Sequence, residues 1–264
     1  MAARASMSDF ESERWIEPPS FGSAADAYDA ARPDYPDALY DLMSSRMGGL
    51  GGRVVLDAGA GTGIASRQLL ARGANLVAVD VGNEMLARAI RREPVLRCMV
   101  ADAAALPITT GAFESLCFAQ SWHSVNQATG AEEAARILRP RGWWAAWWNH
   151  PWADGERWFD EYYTLLEERC AGVSREQREI KRFAQAITEV AAFDDPRHDV
   201  IEWTRSVPVG SWIIDLTSHS YIIALSEPER IGLLGEIDAL LHGWFPSGLM
   251  TVPYETRLLM AERL

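Results

Sequence analysis

The segment Asp57-Ala58-Gly59-Ala60-Gly61-Thr62-Gly63 sets a carboxylate before three alternating glycines. Glycine at 59, 61 and 63 lets the backbone turn tightly and approach a ligand with no Cβ in between, and a helix beginning there offers unpaired N–H donors. This is the composition of a nucleotide or nucleoside loop. A dinucleotide loop spaced GxGxxG needs glycine at position 64, where Ile64 stands, so the spacing here is GxGxG. The acid at the mouth of the loop bears on the same choice, because a carboxylate repels a pyrophosphate but suits an ammonium group. Asp80 and Asp102 end the next two apolar runs, where the first suits a bidentate bond to ribose hydroxyls and the second an exocyclic adenine amine. A cationic adenosine ligand without phosphates fits all three acids. His123 and His150 follow the ends of two later runs, either placed to face a reacting group, and His219 is a third candidate. His198 lies in Asp194-Asp195-Pro196-Arg197-His198-Asp199, whose proline and charge density read as a solvated turn. No metal site is expected.

The elements that must position these residues follow from hydrophobic patterning. A polar leader covers residues 1–20, and 21–31 reads as a helix that Pro33-Asp34-Tyr35-Pro36 breaks. Pro36 starts a second helix to about Met47. Apolar runs at 53–57, 76–80, 96–100, 113–120 and 143–149 are apolar on successive residues, the mark of strands buried on both faces of a parallel sheet. Helices between them begin near Gly63, Asn83 and Thr129, the last with a Thr129-x-x-Glu132 capping box. The expectation is a doubly wound α/β fold with a seven-stranded, mostly parallel, Rossmann-like sheet. Residues 21–150 form its binding core. Residues 151–264 complete the sheet in the same domain, with helices at 154–170, 174–187, 211–225 and 226–241, strands at 199–206 and 256–264, and helical lid insertions at about 151–197 and 206–250. All tryptophans but Trp15 lie between 122 and 244. Trp143 and Trp147 share one face of the fifth strand and Trp144 and Trp148 the other. Trp122, Trp152, Trp158, Trp212, Tyr221 and Trp244 are candidates for a hydrophobic substrate pocket.

The chain has 264 residues, with 25 Lys and Arg against 37 Asp and Glu, a formal net charge of −12. That balance argues against nucleic acid or an anionic membrane as partner, since both require basic patches. The most apolar segment, Gly142 to Trp152, falls far short of the ~20 residues that span a bilayer. Cys98, Cys117 and Cys170 have no metal-ligand spacing and read as reduced thiols. With no apolar signal region, a cytoplasmic protein is expected.

Asp57–Gly63, Val79-Asp80, Glu84-Met85-Leu86, Ala101-Asp102-Ala103 with Leu106-Pro107, Phe113 and Arg139-Pro140 resemble, in order and spacing, the motifs of class I S-adenosylmethionine-dependent methyltransferases. The resemblance spans roughly residues 21–150. Tyr28 with Arg32-Pro33-Asp34-Tyr35-Pro36, together with Gln120-Ser121-Trp122-His123, is similar to the small-molecule branch that includes trans-aconitate-type and type 11 methyltransferases. Glu114, Ser124, Asn126 and Arg141 depart from the family's usual residues, Arg141 replacing the first Gly of a Pro-Gly-Gly turn. The resemblance implies S-adenosyl-L-methionine as cofactor. Asp57, Gly59 and Gly61 would line its methionine portion, Asp80 the ribose, Asp102 and Ala103 the adenine, and Gln120 the floor beside the sulfonium. Ala60, Val81 and Met85 would lie against it, and Tyr28 and Arg32 would close over its carboxylate. The implied activity is methyl transfer to a small molecule, O-methylation of a carboxylate or hydroxyl before N- or C-methylation. A non-methylating reaction on the same cofactor, a nicotinamide-dependent oxidoreductase and a non-catalytic binding protein are the rivals.

Overall fold

The computed structural model describes residues 32–174 and 180–264. The expected helix at 21–31 and Tyr28 lie outside the described residues. Seven strands form one sheet: β1 Val54–Ala58, β2 Asn75–Asp80, β3 Arg97–Val100, β4 Phe113–Ala119, β5 Leu138–Pro151, β6 Arg197–Pro208 and β7 Leu249–Glu262. Their order is β3-β2-β1-β4-β5-β7-β6. The first five run parallel, and β7 is antiparallel to both of its neighbours. Strand order reverses between β1 and β4, which fixes where a ligand crevice opens.

Both faces of this sheet are covered, as the apolar runs demand. Helices α1 Asp37–Met47, α2 Ile64–Ala71 and α3 Asn83–Arg92 bury one face against Val55, Ala78, Trp143 and Trp147. On the other face α4, Gln127–Ile137, packs on Leu56, Trp144 and Trp148, so the two tryptophan pairs of β5 divide between the faces. The N-cap of α4 is Asn126, whose side chain accepts from the Thr129 N–H, which displaces the expected Thr129-x-x-Glu132 box by three residues. An Asx cap supplies the same donor relief earlier in the chain. Arg141 holds φ 66 and pairs with Glu262 at 2.9 Å, so a cation on the neighbouring strand's carboxylate occupies a turn where glycine is the easier residue.

The second half departs from the expectation in three ways. First, β6 begins at Arg197 and not 199, and the Asp194–Asp199 segment enters the sheet: Asp199 pairs with Arg46 of α1 and Asp194 accepts from the Glu262 N–H at 2.6 Å. Second, α5 (Arg157–Arg169) joins the lid, whereas Ile180, Ile187 and Phe193 return to the sheet, where Lys181–Ala184 is a 3-10 turn followed by α6, Gln185–Thr188. Third, the expected 211–225 helix is two, α7 Val209–Leu216 and α8 Ser220–Ile223, while α9, Glu227–Trp244, opens on a Ser226/Glu229 capping box. Helices α5, α7, α8 and α9 close a separate core with the outer ends of β6 and β7, including Trp158, Trp212, Ile237 and Tyr254. Trp212 is spent there and Trp122 is fully buried under α4, whereas Trp158, though mostly buried in that core, borders a surface cleft with Trp244, Phe245 and Pro253. Trp244 lies exposed on the lid's exterior, donating to Glu161 at 2.9 Å.

Candidate active site

The glycine loop sits at the carboxyl end of β1, beside the point where strand order reverses. Gly59 (φ 69) is the tightest position in it: a Cβ there would stand 2.4 Å from the Ser121 Cβ, beyond the end of β4. Left-handed backbone and absent side chain are both required. Ser121 Oγ donates to the Ala58 carbonyl at 2.7 Å, closing the loop onto β4, and the N–H groups of Gly59 and Ala60 share the Val79 carbonyl. Gly63 (φ 80) caps α2.

Asp80, ending β2, accepts from the Gly61 N–H at 2.8 Å and from the Gly82 N–H at 2.7 Å. A carboxylate has about four acceptor sites, so two are left for ligand hydroxyls. Met85, in the first turn of α3, reaches the same loop, its terminal methyl being 3.6 Å from where a Gly61 Cβ would be. The β3 end lies alongside, through the Ala101 N–H on the Asp80 carbonyl at 3.2 Å. Asp102 is exposed and accepts from the Ala104 N–H at 2.8 Å, while Ala103 is buried in the sheet core. Val81 and Val100 stand 61% and 53% exposed at these strand ends, an apolar surface fit for one face of a purine.

Asp57 lies under the loop, fully buried. Ser66, one turn into α2, donates to its Oδ2 at 2.5 Å, and its Oδ1 has no hydrogen-bond partner among the described residues. Burial, with a smaller push from the Asp80 charge against the Ser66 bond, raises its pKa to about 6. An unsatisfied buried carboxylate oxygen under a loop a Cβ would fill is what a cationic nucleoside without phosphates needs.

Across the crevice, Gln120 (φ 57) donates from Nε2 to the Asn149 carbonyl at 3.1 Å, and the Asn149 side chain donates to the Asp34 carbonyl at 3.5 Å. The Arg32–Tyr35 segment is thereby laid over the ends of β4 and β5. Arg32 meets the lid: its Nε is 3.1 Å from Asp215 Oδ1, on α7. His123 follows in a 3-10 turn, Trp122–Ser124, and its Nδ1 accepts from the Trp148 indole N–H at 3.1 Å. That bond assigns the ring hydrogen to Nε2 and occupies the lone pair a base would use. The residue is solvent accessible, yet loss of water around the ring against Trp148 and Phe183, with Arg32 and Arg182 nearby, pushes its pKa down to about 4. His150, in register with Glu255 of β7, stands on the Trp148 face of β5.

The structure therefore brings together Asp57, Gly59, Ala60, Gly61, Asp80, Val81 and Met85, with Asp102 beside them and Gln120 opposite. Sequence reasoning missed Ser66, Ser121, Asn149 and Asp215. Ser66 had a signal, lying on the first turn of the helix after the loop; Asp215 had none, being 183 positions from the arginine it binds.

The chain is similar to known proteins. A methyltransferase domain family model matches residues 56–146. An uncharacterized methyltransferase of Mycobacterium tuberculosis is 31% identical over 227 residues, 84% of this chain and 85% of the relative. A demethylmenaquinone methyltransferase of Beutenbergia cavernae is 34% identical over 141 residues, 52% of this chain and 57% of its own. Among solved structures, a protein of Anaeromyxobacter dehalogenans proposed as a type II methyltransferase superposes with a TM-score of 0.67 at 22% identity, covering 88% of this chain and 97% of that one.

Proposed function

The chain belongs to the class I S-adenosylmethionine-dependent methyltransferases, and on that premise we propose that it methylates an oxygen, carboxylate or hydroxyl, of a small organic molecule. The observation that carries the site assignment is Asp80, held by the N–H groups of Gly61 and Gly82 so that its remaining lone pairs face the crevice mouth. In this reading Asp57, Gly59, Ala60 and Gly61 hold the methionine portion, with the ammonium group satisfying the Asp57 oxygen that has no other partner among the described residues. Asp80 takes the ribose hydroxyls, Val81 and Met85 border the adenosine, Asp102 and Ala103 take the adenine, and Gln120 forms the floor. S-adenosylmethionine supplies a methyl group already activated on a sulfonium. The protein's share is to fix the acceptor oxygen in line with it at about 3 Å, an entropic contribution worth several kcal/mol, and to exclude water.

In support of a small acceptor, the lid helices pack on the adjoining ends of β6 and β7, and Asp215 of α7 reaches Arg32, two residues before the Asp34 carbonyl that bonds Asn149. His123 serves as a donor from Nε2, holding an acceptor's oxygen, while His150 remains a candidate for contact with it. A chain of net charge −12 fits no polyanionic partner, and three unpaired cysteines fit the reducing cytoplasm. No described helix is long and apolar enough to cross a membrane. Calorimetric titration with S-adenosylmethionine, S-adenosylhomocysteine and NAD tests the premise: micromolar binding of the two sulfur nucleosides and none of NAD is expected, and silence from both nucleosides overturns it. Mass spectrometry of products from mixed carboxylic acids, alcohols and amines tests the acceptor, and methyl groups found only on nitrogen or carbon overturn the oxygen assignment.

A further inference from the structure

Segment 32–36, ahead of α1, belongs to no helix or strand, so its main-chain groups need partners from elsewhere. Two side-chain amides supply them. Gln68, in the second turn of α2, behaves as a neighbouring strand would: its Oε1 accepts from the Tyr35 N–H at 3.0 Å and its Nε2 donates to the Tyr35 carbonyl at 2.9 Å. The Tyr40 hydroxyl also donates to Gln68 Oε1, at 3.1 Å, which sets the amide in that orientation. Asn149, at the end of β5, donates to the Asp34 carbonyl at 3.5 Å, while its Oδ1 accepts from the buried Thr256 hydroxyl at 2.6 Å, which in turn accepts from the Trp203 indole N–H at 2.9 Å. Each anchor is thus oriented before it reaches the segment.

The two anchors stand on opposite sides of the crevice. Gln68 lies two residues beyond Ser66, which bonds Asp57 beneath the glycine loop, and α2 begins at that loop. Asn149 offers its main-chain carbonyl to Gln120, across from the loop. They grip adjacent residues, Asp34 and Tyr35, whose Cα atoms are one peptide unit, about 3.8 Å, apart. We propose that segment 32–36 is a strap that fixes the width of the methyl-donor crevice, with Gln68 and Asn149 as the positioning residues that hold it. This rests on the methyltransferase reading and adds to it what keeps the Asp57 and Gln120 sides at their working separation.

A strap can hold two bodies only if it is stiff and does not drift. Pro33 and Pro36 bracket Asp34 and Tyr35, each proline fixing its own φ and confining the residue before it, Arg32 or Tyr35, to extended backbone. Tyr35 is buried, its ring edge-on to Trp147 at 5.7 Å. Beyond that ring little packing confines the segment: Asp34 is exposed, and an open cleft of about 520 Å³ runs along the strap, bounded by residues 32–37, Gln68, Trp203 and Arg205. Its main chain is therefore placed by the amide bonds more than by contact. Arg32, at the outer end, reaches Asp215 of the lid, but an ion pair beyond Pro33 does not bear on the spacing between α2 and β5.

The test is calorimetric titration of the full-length protein with S-adenosylhomocysteine. Gln68→Met and Asn149→Leu nearly keep the size of each side chain, and the second keeps the carbonyl that Gln120 bonds. With the strap released, a crevice at its working width about a tenth of the time binds about tenfold more weakly, and each variant should show that loss. The double variant should again lose about tenfold and not about a hundredfold, because either release frees the same strap. Losses that multiply, as two separate structural defects would give, or single variants that bind as the wild type does, overturn the inference alone. Pro33→Gly leaves both anchors in place and serves where an amide variant does not fold: the softened strap should weaken binding about threefold, and unchanged affinity overturns the inference. A wild type that binds no S-adenosylhomocysteine takes the methyltransferase reading down with it.

Discussion

The cofactor crevice and the lid hold their carboxylates in different ways. At the crevice mouth, Asp80 and Asp102 accept from main-chain N–H groups of Gly61, Gly82 and Ala104, and only Asp57, buried beneath, takes a side-chain donor, Ser66. In the lid, Asp215 is held by the side chains of Arg32 and His219, and Glu236 of α9 by Arg169 of α5. Main-chain donors cannot leave without unfolding a loop, whereas side-chain donors exchange partners by changing rotamer. The first arrangement presents a preset ligand surface; the second lets helices move over it. Each region also has its own apolar core. The contrast predicts that the two can be damaged separately.

Trp212→Ala is the largest such blow. Trp212 is 4% exposed in the lid core, against Trp158, Tyr162 and Tyr254, and removing a buried tryptophan costs about 3–5 kcal/mol. Hydrogen exchange should speed across α7, α8 and α9 while β1, β2 and α2 keep their protection and S-adenosylhomocysteine its affinity. Loss of protection in both regions together would make them one cooperative unit and break the contrast.

On the crevice side, Asp57→Asn should stabilise the ligand-free protein while weakening cofactor binding. The Asp57 pKa rises from 3.8 to about 6 on folding, so the native state binds its proton more tightly than the unfolded chain does. Stability from this group therefore falls as pH rises through that window, and the full penalty, roughly two pKa units or about 3 kcal/mol at most, persists above it. Denaturant melts at pH 8 should show the variant ahead by up to that amount and level with the wild type near pH 4. A variant no more stable at pH 8 would mean that Asp57 is relieved by a partner without a ligand.

Asp80→Ala should cut S-adenosylmethionine affinity by about ten- to a hundredfold, since charge-assisted bonds are worth about 1.5–3 kcal/mol. It also frees the Gly61 and Gly82 N–H groups, so a crystal structure of the variant should show the glycine loop displaced. Calorimetry reading unchanged affinity would remove Asp80 from the ribose.

These contrasts follow how far each region could be read in the chain. The crevice is built from neighbours in sequence: strand, loop and helix run from Val54 to Ala71, and the acid that completes the loop ends the very next strand. Composition and period suffice for such a unit, which is why four of the five parallel strands fall within a residue or two of expectation and only β5, Leu138–Pro151, starts well before it. The lid is assembled from segments about 50–200 positions apart, α5 on α9 and Arg32 on Asp215, and nothing local tells Trp158 and Trp212 to pack in a core when they could as well line a pocket. Its turns are decided the same way: the 211–225 segment is helical in period throughout, but breaks at Thr217–His219, where the pair on Asp215 is formed.

His123 lies at the seam, fixed to the sheet by Trp148 and placed near Arg32, which the lid's Asp215 holds, and it gives the smallest and most discriminating effect. Its pKa falls from 6.5 to about 4 on folding, so between those values the unfolded chain binds more protons than the native one. Stability from His123 is therefore lost as pH falls through that window, the reverse of the Asp57 slope over nearly the same range. In an Asp57→Asn/His219→Gln background, which also removes the second histidine whose pKa folding lowers, adding His123→Gln should flatten most of the remaining slope between pH 4 and 6.5 without altering S-adenosylhomocysteine affinity. The contribution of Arg32 can then be separated: Asp215→Asn leaves the Arg32 charge uncompensated and should steepen the slope of the His123-containing protein. A slope that Asp215→Asn does not change would mean that the lid's ion pair and the sheet's histidine do not sense each other, and that the two regions are electrically as well as mechanically separate.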